Sequence, residues 1–141
     1  MIDSIKQYCE NTNQYIPQTV GEIARCIYES LAFRYKQVLH NFQKLSNTPI
    51  ETLHIIGGGS KNRLLNSYTA NAIGMTVVAG PSEATAIGNL LLQAKAAGLV
   101  KDKIEMRKIV RNSVELETYT PNEKDTWSNQ YKEYLGVYKE I

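Results

Sequence analysis

The sequence predicts an α/β fold, helix-rich and with few strands. Three observations carry this. Apolar residues recur at three- and four-residue steps over roughly 19–46, the mark of a long amphipathic helix. Two short apolar runs each empty into a glycine-containing turn and then a helical stretch, giving βα units over 52–73 and 76–97. The tail, 101–141, is mostly helical in pattern, with one alternating segment inside it.

Taken in order, Ile2, Ile5, Tyr8 and Cys9 form a short helical pattern within 1–18, followed by a polar turn from Asn11 to Gln14. Thr19 has the form of an N-cap, and Glu22 three residues on completes a capping box. Val20, Ile23, Ala24, Ile27, Leu31, Tyr35, Val38, Leu39, Phe42 and Leu45 then share one side of the long helix, which Ser46 to Pro49 closes. A stripe this wide must pack on a sheet or on other helices. Thr52 to Ile56 reads as a strand, and after the glycines a helix runs from about Asn62 to Ile73, stopped by Gly74. Thr76 to Ala79 is a second strand ended by Gly80-Pro81. Ser82 is expected to cap a helix from Glu83 to Ala97, with Gly98 just past its end.

Short links between alternating elements imply a parallel or mixed sheet covered by helices. Two strands cannot bury three such helices well. The pattern therefore implies either a second copy of the chain or a larger domain whose first strands lie upstream. In the tail, Lys101–Arg111 is a predicted helix anchored by Ile104, Ile109 and Val110, and Val114–Tyr119 alternates as an extended segment. After Thr120-Pro121-Asn122, Trp127, Tyr131, Tyr134, Leu135 and Tyr138 mark one face of a last helix. Aromatic stripes at this spacing are packing faces more often than stacking platforms for bases.

Bulk properties narrow the function classes. With 141 residues, 43% of them apolar, the chain suffices for one domain with a core but is short for a two-domain enzyme. The net charge of +2 comes from interspersed charges without a basic block, which argues against a nucleic-acid surface. No apolar run approaches the roughly 20 residues that span a bilayer, and the start lacks a signal-peptide layout. Cys9 and Cys26 stand apart from any ligand-spaced His or Cys, and read as ordinary thiols of a cytoplasmic protein.

The pentad Ile56-Gly57-Gly58-Gly59-Ser60 is the feature that points to chemistry. A strand that empties into glycines before a helix can bring backbone N–H groups close to a phosphate-bearing ligand. The same three glycines can equally be a tight turn and nothing more. The P-loop pattern is absent, and the dinucleotide fingerprint fails because position 62 is Asn62. Asn62 can hydrogen-bond a ligand or simply cap the helix.

The spaced string that contains this turn is more specific than the glycines. It runs from Leu53 to Asn89 and includes Gly57-Gly58-Gly59-Ser60-Lys61-Asn62, Ala70-Asn71-Ala72-Ile73-Gly74-Met75, Ala79-Gly80-Pro81-Ser82-Glu83-Ala84 and Ile87-Gly88-Asn89. Together with Ile16-Pro17-Gln18, Glu22 to Tyr35 and Val114 to Pro121, it resembles the C-terminal domain of the FGGY carbohydrate kinases. Among them it is most similar to those acting on L-rhamnulose. The resemblance implies part of a ribonuclease-H-like lobe of the actin/Hsp70/sugar-kinase type, with residues 1–141 as an incomplete C-terminal domain. It also implies ATP and Mg²⁺ as cofactors of a longer enzyme, a ketose as phosphoryl acceptor, and Gly57, Gly58, Gly59 and Asn62 against the adenosine or phosphate part of ATP. Glu83 would back the same cleft, although the helix dipole alone favours a carboxylate there. Lys61 and Arg63 could lie near phosphates or simply be solvated. Where the family often has an acid this chain has Asn71, which puts helix packing in doubt rather than chemistry.

Phosphoryl transfer needs a base, Mg²⁺ and donors that hold the triphosphate. The chain has three aspartates, Asp3, Asp102 and Asp125, and none ends a strand beside the glycine turn. His40 falls late on the long helix and His54 within a strand, both in structural positions. The resemblance puts the catalytic aspartate and the sugar-binding residues upstream of the matched region, so this chain alone is expected to be inactive. Two other readings stay open: a stand-alone binding module, dimeric through its uncovered faces, or a family member acting on another ketose such as fuculose or xylulose.

Overall fold

The computed structural model describes residues 1–138, so the last three positions of the predicted tail lie outside the described residues. The elements run α1 (Ile2–Asn11), α2 (Val20–Leu45), β1 (Thr52–Ile55), a 3-10 turn (Gly58–Lys61), α3 (Arg63–Ile73), β2 (Thr76–Ala79), α4 (Ala84–Ala96), α5 (Lys103–Ser113), β3 (Glu117–Tyr119) and α6 (Lys124–Val137). The expected α/β architecture is present. Its sheet is mixed, with order β1-β2-β3. β1 and β2 are parallel, with Thr52 opposite Thr76 and Ile55 opposite Ala79. The alternating segment of the tail supplies β3, antiparallel to β2 with Val77 opposite Tyr119.

Local chemistry explains the long helix. The Thr19 hydroxyl accepts the Glu22 amide at 3.2 Å, and the Glu22 carboxylate accepts the Thr19 amide at 3.0 Å and the Gln18 amide at 2.6 Å. This is the predicted capping box with both halves formed. Those amide bonds, Thr19 first and Gln18 next, hold the Glu22 carboxyl below its ordinary range.

α3 is the central helix. On one side Ala72 meets Ala32 and Phe33 of α2 and Trp127 of α6, with Tyr68, Tyr131 and Tyr134 packed around them. The Phe33 and Trp127 rings lie 5.5 Å apart and tilted by 60°, a favoured aromatic arrangement. On the other side Ala70 and Ile73 meet Val77 of β2, with Leu39, Leu53, Ile55, Met75 and Tyr119 around them. Ala70 and Ala72, both fully buried, let the helices and the sheet approach closely. The aromatic stripe of α6 is thus a packing face, as its spacing predicts, except that Leu135 stays exposed. Asn71 does not weaken α3: its Oδ1 accepts the Asn122 amide at 2.7 Å and ties α3 to the start of α6. Cys9 is buried and Cys26 half-buried, both free. Burial first, then the neighbouring Cys9, pushes the Cys26 thiol up.

Three local expectations are corrected. α4 begins at Ala84 after Glu83, and Ser82 does not cap it. The Pro81 carbonyl accepts the Gly57 amide at 3.1 Å, which keeps the chain on the line of β2 and delays the helix. α5 runs over Lys103–Ser113 rather than 101–111, because the Asp102 carboxylate accepts the Ile104 and Glu105 amides and fixes the start. Ile104 is no anchor: it is 78% exposed, and α5 buries no residue at all.

Candidate functional site

The site is built where β1 and β2 end. Both strands point the same way, and two backbone bonds join them past the ladder: the Gly80 amide donates to the Ile55 carbonyl at 2.7 Å, and the Gly57 amide to the Pro81 carbonyl at 3.1 Å. Beyond these bonds opens a cleft of about 530 Å³. Ser60, Lys61 and Arg63 line one wall, Ala79 to Glu83 and Ile87 the second, and Val114, Glu115 and Glu117 the third. In open parallel sheets, ligands collect in the crevice outside the carboxyl ends of the strands, and this cleft has that placement.

Gly57 has φ +78°, a conformation that side chains with a Cβ rarely adopt, so the fold itself demands glycine there. Gly58 and Gly59 have no such requirement. A Cβ on Gly58 would meet no atom within 4 Å, and one on Gly59 would make only an ordinary contact with Ile55 Cγ2 at 3.9 Å. Both are exposed at the start of the 3-10 turn, where the first N–H groups have no partner further back. At Gly80, by contrast, a Cβ would come within 3.0 Å of Ile56 Cγ2, so the close strand ends explain that glycine.

The helix does not follow the glycines directly, as the sequence suggests. A four-residue 3-10 turn intervenes, closed by bonds from the Ser60 amide to the Gly57 carbonyl and from the Asn62 amide to the Gly59 carbonyl. Asn62 then caps α3, its Oδ1 accepting the Leu65 amide at 3.1 Å. Its side chain is therefore occupied as a cap, the structural one of its two expected roles. Gly57, Gly58, Gly59 and Asn62 adjoin the cleft through Ser60 and Lys61 without being among its lining residues.

Arg63 is a solvent-exposed cation paired with Glu117. Its Nε donates to Glu117 Oε1 at 3.0 Å, and Glu117 also accepts the Tyr119 hydroxyl. The Tyr119 bond first, and Arg63 next, hold the Glu117 carboxyl below its ordinary range. The Tyr119 phenol is held above its ordinary value by burial first and by Glu117 next, with the neighbouring Asn66 side chain opposing. Lys61 makes no ion pair among the described residues. Glu83, Glu115 and Glu117 give the cleft more carboxylates than cations. Such a lining suits hydroxyl and amino donors better than phosphates.

Sequence reasoning missed Asn66, Glu117 and Tyr119. The three aspartates lie away from the cleft: Asp3 in the first turn of α1, Asp102 as the cap of α5, and Asp125 in the first turn of α6. His40 and His54 are exposed. No group of three or more His, Cys, Asp or Glu among the described residues could hold a metal.

Residues 3–97 match the model of the FGGY family of carbohydrate kinases, C-terminal domain. The chain belongs to this family. It is 54% identical over 131 residues to a rhamnulokinase of Bacteroides thetaiotaomicron, covering 93% of this chain and 27% of that protein. It is 49% identical over 125 residues to a rhamnulokinase of Bacillus subtilis, covering 89% of this chain and 26% of that one. The chain thus spans about a quarter of the length of these relatives. Its fold matches part of the crystal structure of xylulose kinase from Rhodospirillum rubrum, with a TM-score of 0.66 and 14% identity over 88% of this chain and 25% of that one. FGGY membership favours the kinase reading over a stand-alone binding module.

Proposed function

We propose that this chain supplies the adenosine and phosphate side of the ATP cleft in a cytoplasmic FGGY kinase, one that transfers the γ-phosphate of ATP to the 1-hydroxyl of L-rhamnulose. One observation carries the reading of the site: Gly58, exposed two residues before Ser60 and the lining of the cleft, lacks a Cβ that nothing among the described residues excludes. A residue kept bare for no internal reason leaves room for something arriving from outside. The carboxylate-rich cleft then takes the adenosine, where Glu83 and Glu115 can accept from hydroxyl or amino groups. The phosphates lie toward Gly58, Gly59 and Lys61. High identity to rhamnulokinases over most of the chain supports L-rhamnulose as the acceptor over other ketoses.

No group of three or more His, Cys, Asp or Glu among the described residues forms an all-protein metal site, so Mg²⁺ would be held chiefly by the phosphates, water and residues outside this chain. The base and the sugar contacts would come from polypeptide equivalent to the rest of the relatives' length. ATP supplies the transferable phosphoryl group. What this chain does is orient the nucleotide by its bare backbone and cover one side of it.

The test is a chimera in which this chain replaces the matching segment of the Bacteroides thetaiotaomicron rhamnulokinase. ADP release with L-rhamnulose is the expected result, and the chain by itself should show none. Gly58→Val in the chimera should raise KM for ATP about ten-fold or more while the KM for sugar stays put. A chimera that folds but turns over xylulose or fuculose in preference would overturn the sugar assignment. An unchanged KM for ATP in Gly58→Val would overturn the placement of the nucleotide.

A further inference from the structure

Beneath the glycine turn lies a polar side chain that neither the family resemblance nor the cleft accounts for. Asn66 of α3 is 0% exposed. Its Nδ2 donates to the Ser60 carbonyl at 2.8 Å. Ser60 in turn donates to the Gly57 carbonyl twice, from its amide at 3.0 Å and from its Oγ at 2.7 Å. The Asn66 Oδ1 finds no partner among the described residues. An apolar side chain at this position would avoid the cost of a buried, unpartnered oxygen. What such a side chain could not do is hold Ser60.

We propose that Asn66 is a positioning residue: its amide donor fixes the Gly57–Ser60 turn in the conformation that sets the exposed Gly58 and Gly59 backbone beside the cleft. Among the described residues, the turn's closing bonds are local, and the Asn66 bond alone ties the turn to the buried face of α3. The titratable group facing Asn66 is Tyr119 of β3, and behind Tyr119 stand Glu117 and Arg63. Asn66 therefore lies between the turn and β3, whose Glu117 lines the third wall of the cleft. The proposal deepens the nucleotide reading and rests on it only for what the turn receives.

The test uses Asn66→Asp, which matches the shape of asparagine but, when ionised, can only accept. Above neutrality the Ser60 carbonyl then faces a carboxylate oxygen in place of a donor. Burial raises the new carboxyl's pKa, so mild acid protonates it and returns an O–H donor to the place of Nδ2. The amide signals of Gly57, Gly58 and Gly59 in nitrogen-15-labelled chain report the turn directly, and titration with ADP reports its use. At about pH 8 and again at about pH 5.5 the glycine signals of the variant are compared with those of the unsubstituted chain, so that pH effects common to both cancel. In Asn66→Asp they should be displaced at the higher pH, with ADP bound about ten-fold more weakly, and both should return at the lower one. Glycine signals that coincide with those of the unsubstituted chain at both pH values would overturn the proposal. So would a displacement that mild acid leaves unchanged in a folded protein. Should Asn66→Asp fail to fold at the higher pH, Asn66→Ser, too short to reach Ser60, decides: displaced glycine signals at both pH values uphold the role, and unmoved ones overturn it. If ADP shifts nothing in the unsubstituted chain while the glycine signals respond as described, the positioning role stands, and the KM for ATP of the Gly58→Val chimera decides the nucleotide reading.

Discussion

Single residues around the turn divide by what the fold asks of them. Gly57 serves the backbone, so Gly57→Ala should cost about 1–2 kcal/mol of stability through its positive φ. Gly58→Ala should leave stability within about 0.5 kcal/mol, since its Cβ enters open space. Urea unfolding of the two variants side by side gives the comparison, and equal losses would contradict the assignment. Asn62→Ala removes a cap and should cost about 1 kcal/mol. The glycines and Asn62 were legible in the sequence because turn and cap chemistry is local. Asn66 was not, because an asparagine in mid-helix reads as a solvated position. Its signal was nonetheless present: 66, 69, 70 and 73 are spaced as one helical face, and all four are buried.

Elements hold together through a few junctions. α2 and α6 meet over Phe33 and Trp127, so Trp127→Ala should cost about 3–5 kcal/mol, seen as a lower melting temperature and lost near-UV signal. Acid should loosen two other junctions. Glu22 and Glu117 have folded-state pKa values below their ordinary 4.5. Each contributes stability that is present above that value and disappears as pH falls through the lower, folded one. Thermal melts should therefore fall more steeply below about pH 4.5 in the parent than in Glu22→Gln. Parallel slopes would show that the carboxylate bonds at Thr19 and Gln18 add nothing. Helix α2 and both βα units could be read from periodicity, since their caps and glycines punctuate the chain. β3 was legible only as an extended segment, because three residues carry no partner information. Its pairing with β2 comes from tertiary contacts such as Tyr119 against Val77. The start of α4 was misread for a similar reason, since a distant backbone bond overrode the serine.

The molecule as a whole leaves apolar surface uncovered. α4 carries apolar side chains nearly all round, yet buries only Leu91, and Leu90 and Leu92 are 66% and 61% exposed. A helix of that composition belongs inside a larger body. Amide exchange in this chain alone should accordingly be fast along α4 and slow along α3. Adding polypeptide equivalent to the remaining three quarters of the relatives should slow α4 most. Exchange along α4 as slow as along α3 from the outset would mean the helix is already covered. The shortage of strands was foreseeable from the sequence, but which helix it would leave bare depends on tertiary packing that periodicity does not carry. The sheet has its own consequence for handling the chain. Strand β1 is a margin of the three-stranded sheet, and its outward row of peptide groups is claimed by no other described strand. Such a row is a template on which a neighbouring molecule can knit itself. Concentrated preparations should thicken into β-rich assemblies that a lysine in place of Thr52 would hold apart.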